Sequence, residues 1–157
     1  MAAALLTAIF ISLGGIGVAV YLGLTAAGDV MVARHITIGF FSTMMTLLSH
    51  CMLMFYLIGK GKAVREAAEE GGLSKEFAAR MAALRKPVFS IGTFAMVLTM
   101  ITAILGASVD TGVLPAGVHA VIAYSCIVAN LGALRAEIAA LTESGRIVSD
   151  VNRLLNA

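Results

Sequence analysis

Four long stretches without Asp, Glu, Lys or Arg divide this chain, and they restrict what it can fold into. They cover about residues 4–25, 35–59, 87–109 and 114–134. A helix needs roughly 20 apolar residues to cross a hydrocarbon core, and each stretch supplies them. The rest of the composition agrees: 60% of residues are hydrophobic, 13% are charged, and the mean hydropathy is +0.98. Soluble domains carry about 25% charged residues. A water-soluble fold of 157 residues could not hide this much apolar surface. The expected fold class is therefore an all-α integral membrane protein, a four-transmembrane-helix bundle forming one domain over residues 1–157. The first stretch lacks a basic leader and is longer than a secretory h-region, so a retained span is expected there.

Charge outside these stretches sets the orientation. Lys60, Lys62, Arg65, Lys75, Arg80, Arg85 and Lys86 fall in the connection 60–86, and Arg135, Arg146 and Arg153 in the tail 135–157. Only Arg34 falls on the other side. Positive loops stay cytoplasmic, so the sequence predicts an N-in/C-in topology in a bacterial-type inner (cytoplasmic) membrane. The net charge of +2 is too small to suggest nucleic acid as a partner.

The connections add detail. Residues 26–34 and 108–117 are short and predict antiparallel hairpins. The longer connection predicts a cytoplasmic helical hairpin: Lys60–Glu70 continues the second helix, Gly71 and Gly72 break it, and Ser74 caps an amphipathic piece carrying Phe77, Met81 and Leu84. Pro87 suits the first turn of the third span. The tail is expected to extend the fourth helix, with Gly145 as a weak point. Its stripe of Leu134, Ile138, Leu141, Val148, Val151 and Leu155 needs a partner, either the middle loop or a neighbouring subunit. Gly15, Ala19 and Gly23, at four-residue steps, predict close helix packing, more within the chain than between chains.

The second and third spans carry Ser42, Thr43, Thr46, Ser49, Ser90, Thr93, Thr99 and Thr102. Some of these hydroxyls can bond back to their own helix; the others mark interior faces. No carboxylate falls within a stretch, which argues against a proton or cation pump. Cys51 and Cys126 lie in separate apolar runs and are expected to be small apolar side chains rather than a disulfide. Phosphate loops, HExxH, CxxC and Ser/His/Asp patterns do not occur, so the chain is not expected to be an enzyme by itself.

Ionisable residues inside a membrane helix are candidate functional residues, and there are three: His35, His50 and His119. His35 and His50 are fifteen residues apart, about four turns plus 60°, so they share a face about 22 Å apart along the helix. His119 opens the fourth stretch, level with His35. Interfacial and core roles account for them simply: His35 and His119 bonded to loop carbonyls or to Asp29 and Asp110, and His50 bonded to a hydroxyl on a neighbouring helix.

Their arrangement also resembles that of b-type cytochromes, in which imidazoles from facing helices hold haems stacked across a bundle. The resemblance covers the spacing on one helix and one facing residue. It implies His35 and His119 as axial ligands of an outer haem, with Gly39 leaving room at its edge and His50 facing an inner haem. Two such haems need four imidazoles, so His50 would have to turn to Met96, Met100, another chain or an open position. A copper site from His50, Cys51 and Met44, Met45, Met52 and Met54 is a further candidate, since soft sulfur suits Cu(I). Of these side chains, only His50 and Met54 share a helix face well.

The sequence thus favours a non-enzymatic polytopic subunit of a larger or homo-oligomeric membrane assembly, with the lipid bilayer and other subunits as partners. The alternative is a haem-b electron-transfer subunit. Transport ranks third, because no broken helix or internal repeat supports it.

Overall fold

The computed structural model describes residues 1–156 and consists of four helices in an antiparallel bundle. They are α1 (Ala2–Thr25), α2 (Asp29–Glu70), α3 (Glu76–Asp110) and α4 (Ala116–Leu155). All four are long and apolar enough to cross a membrane. Neighbours in sequence pack as hairpins, α1 on α2 and α3 on α4, while α2 and α4 meet across a diagonal of the bundle. Both hairpin turns use a glycine with positive φ, Gly28 at 78° and Gly112 at 73°, a conformation that glycine adopts at little cost.

Polarity is arranged inside out. Ser12, Ser42, Thr46, Ser49, His50, Thr99, Asn130, Glu137 and Ser144 are buried, whereas Phe40, Phe55, Phe94 and Val128 are each 60% or more exposed. An outward apolar surface of this extent marks a membrane or partner interface. Most buried hydroxyls bond their own helix, as with Thr46 to the Ser42 carbonyl at 2.7 Å and Thr99 to the Ala95 carbonyl at 2.7 Å. This removes their polarity from a dry interior.

Two sequence expectations need correction. Pro87 does not open a helix; α3 begins at Glu76 and runs through it. Proline there forgoes one internal hydrogen bond, and packing on both sides holds the helix together, with Met81 and Val88 fully buried. Gly145 does not interrupt α4 either, because Ser144 and Ile147 beside it are buried. The helical hairpin expected in the middle loop is present: its first arm is the end of α2 and its second the start of α3. They join through Gly71 and Gly72, with Ser74 Oγ accepting the Glu76 N–H at 3.2 Å.

Beyond the apolar stretches, α2, α3 and α4 continue as a three-helix extension around Val64, Met81, Ile147 and Val151, flanked by Phe77 and Leu84. The tail stripe therefore finds its partner in its own chain. Arg80 donates to Glu143 at 2.7 Å across this extension, and that hydrogen bond holds the Glu143 carboxyl below its usual range. A depressed carboxylate contributes stability above its unfolded pKa and loses it as pH falls through the folded one. The extension is thus expected to loosen below about pH 4. Arg80→Ala should abolish this acid step when amide hydrogen exchange of residues 76–84 is followed against pH; an unchanged acid step would refute the assignment.

Small residues on α1 face α2, in keeping with intrachain packing. A Cβ on Gly15 would run into Ser42 Oγ, and one on Gly23 would lie 2.8 Å from His35 Cε1.

Candidate functional site

His35 and His119 meet at the turn end of the bundle, each half-buried. Their ring centroids are 6.1 Å apart and their planes cross at 73°. The flanking helices seat each ring. Gly23 of α1 leaves room for His35, and Gly106 of α3 does so for His119, where a Cβ would approach Cε1 to 3.2 Å. His35 Nδ1 lies 2.8 Å from the Ala19 carbonyl oxygen. A carbonyl only accepts, so Nδ1 is the donor and carries a proton. Neither Asp29 nor Asp110 bonds these rings. Nδ1 of His119 is buried without a partner.

An imidazole–metal bond measures about 2 Å, so two bonds to one metal, plus the depth of each ring, separate the centroids by about 6 Å. No third His, Cys, Asp or Glu joins the pair: among the described residues there is no group of three or more such side chains able to hold a metal ion. Zinc requires about four protein ligands, or three plus water. An iron porphyrin needs only two protein nitrogens, because the macrocycle supplies the other four.

The two hairpins also match in register. The offset from His35 to His119 is the same as that from Gly28 to Gly112, and from buried Ser42, Thr46, Ser49, Leu53 and Leu57 to buried Cys126, Asn130, Ala133, Glu137 and Leu141. Gly28 and Gly112, His35 and His119, and Leu57 and Leu141 are identical pairs; the other residues differ while their burial agrees. His35 and His119 occupy equivalent places in it.

His50 has no such counterpart; the equivalent position holds Leu134. Asn130 and Glu137, on α4 either side of Leu134, reach His50 instead. Asn130 Nδ2 donates to the Cys126 carbonyl at 2.8 Å and to Thr99 Oγ1 at 3.0 Å, which turns its Oδ1 toward His50 Nε2 at 3.0 Å. An amide oxygen only accepts, so His50 Nε2 is the donor. His50 Nδ1 lies 2.6 Å from Glu137 Oε1, with one proton between them. Both ring nitrogens are thus engaged, and the array ties α2, α3 and α4 together.

Glu137 is the residue that sequence reasoning missed. It lies in the charged tail 135–157, beyond the fourth stretch, yet it is 0% exposed and its Oε2 is buried without a partner. The bundle interior does contain a carboxylate. The available signal was helical spacing: Cys126, Asn130 and Glu137 fall on one stripe of α4. The hydroxyl partner expected for His50 is replaced by this acid and amide.

The sulfur-rich segment around His50 diverges. Met44, Met45 and Met52 point outward, while Met54 is buried against Gly92. Cys51 and Cys126 are free thiols, with Cys51 Sγ 3.7 Å from Met96 Sδ. Comparisons with protein-family models, with curated proteins and with solved structures found no match to this chain.

Proposed function

We propose that this chain is a small polytopic electron-transfer subunit that holds one b-type haem between His35 and His119, within a larger assembly of a bacterial-type inner membrane, with both termini cytoplasmic. The observation that carries this reading is the His35–His119 pair, with ring centroids 6.1 Å apart and, among the described residues, no third ligating side chain beside it. In this role, haem bound there supplies one-electron iron chemistry. The chain would supply one imidazole nitrogen each from His35 and His119; the Ala19 carbonyl holds His35 Nδ1–H, and both rings are seated against glycines. His50 is assigned to the buried array rather than to iron, because neither nitrogen is free.

Membership of an assembly follows from the same reading. A subunit with one electron carrier and no catalytic motif must receive and deliver electrons through partners, either other subunits or further copies. The positive loops support the orientation, and the outward apolar surface supports a bilayer.

Purified protein scanned in the visible region, oxidised and then reduced, tests the proposal. A Soret band with a sharp reduced α-band is expected; a colourless, fully stable protein contradicts it. The glycine seats make a graded prediction. Gly23→Ala forces the His35 ring aside and is expected to weaken haem retention by about 10–100-fold, as changes to ligand-supporting groups do. Gly106→Ala, with its longer approach, should cost less. Equal effects in a haem-transfer competition assay would count against the seating role.

A further inference from the structure

Where the apolar stretches of α2 and α3 end, around Gly59 and Pro87, a groove opens between the two helices. Ile58, Ala82, Arg85, Lys86 and Phe89 line it. Its floor is apolar and its rim is cationic. Arg85 is held there by α2: its Cζ lies 3.5 Å from where a Cβ of Gly61 would stand, and Gly61 is buried. The glycine lets the guanidinium lean across the helix pair.

These cations have no internal counter-ions. Lys62 pairs with Glu66, Arg65 with Glu69, and Arg80 with Glu143 and Asp150. Among the described residues no carboxylate lies within salt-bridge distance of Arg85, Lys86 or Lys60. Lys60 sits instead over the Tyr56 ring, 5.7 Å from its centre. Three cations free of carboxylates thus gather at one level of the bundle, at the end of the apolar surface and beside an apolar cleft.

We propose that this groove is a binding site for an anionic phospholipid, with the phosphate held by Arg85 and Lys86 and an acyl chain against Ile58 and Phe89. The inference rests on the membrane reading of the chain and not on the haem. Charge complementarity selects the occupant. A phosphodiester matches the planar guanidinium fork, and basic pockets between helices on the cytoplasmic side suit anionic headgroups. A zwitterionic lipid adds a cation that the rim opposes.

The test is native mass spectrometry of the full-length protein in mild detergent, titrated with phosphatidylglycerol or with phosphatidylcholine. Phosphatidylglycerol is expected to be retained on the order of tenfold more tightly. Arg85→Gln with Lys86→Gln should abolish that preference. Lys62→Gln with Arg65→Gln, which removes the same charge away from the groove, should preserve it. Equal retention of both lipids, or equal losses in the two double variants, overturns the proposal. So does a preference that survives in the first double variant but is displaced by free inorganic phosphate. If the first variant fails to fold, Gly61→Leu, which obstructs the Arg85 seat from α2, must reduce the preference; an unchanged preference there also overturns the site. A colourless but lipid-selective protein would remove the haem and leave this site standing.

Discussion

Glu137→Leu is expected to destabilise the bundle by about 3 kcal/mol, the cost of leaving a buried polar group without its hydrogen-bond partner. The array leaves little room for compensation. Once Glu137 is gone, His50 Nδ1 faces an apolar wall, while Asn130 continues to hold Nε2–H. His50→Leu should be similarly costly, because it leaves Glu137 with no partner on either oxygen and also strips Asn130 Oδ1. The double variant His50→Leu with Glu137→Leu is expected to recover much of the loss, since two apolar side chains of similar volume replace both polar groups. Denaturation in detergent, followed by far-UV circular dichroism, gives all three values. A single variant within about 1 kcal/mol of the parent would show that the array contributes little.

The second large effect concerns the paired rings. Either His35→Ala or His119→Ala is expected to eliminate six-coordinate haem, because one imidazole leaves the iron with an open axial position. The two variants should behave alike, since the two hairpins place these residues equivalently. His50→Gln, far along α2 and engaged elsewhere, should leave the spectrum unchanged wherever the protein folds. Loss of haem in His50→Gln with intact haem in His119→Ala would reverse the assignment.

Most of the fold was legible in the sequence because its strongest signal is local. Uncharged runs such as Ala4–Thr25 are long enough to specify helices by themselves, and Gly71-Gly72 ends α2 where its neighbours allow no alternative. Boundaries that depend on partners were not legible. Pro87 and Gly145 each read as helix punctuation, but Met81, Val88, Ser144 and Ile147 bury the flanking turns and keep both helices intact. The tail stripe carried the right spacing without naming its partner, which depends on how far α2 and α3 project.

The site was legible in halves. His35 and His119 were paired from spacing and level alone, because both follow a hairpin turn and face inward by the same register. Their glycine seats lie on the other helix of each hairpin and required the fold. Glu137 was hidden by the company it keeps: Arg135, Glu143 and Arg146 give the segment a solvated character. Only α4's rotation shows that Glu137 alone of the segment's charged residues is fully buried.

The proposed function is one haem held by the His35 and His119 imidazoles. Its most direct test is the stoichiometry of haem binding to the purified full-length chain, read from the Soret band as haemin is titrated in. Saturation at one low-spin haem per chain, lost in both His35→Ala and His119→Ala, is the predicted result. Saturable binding at two per chain, or no saturable binding to a folded protein, would contradict it.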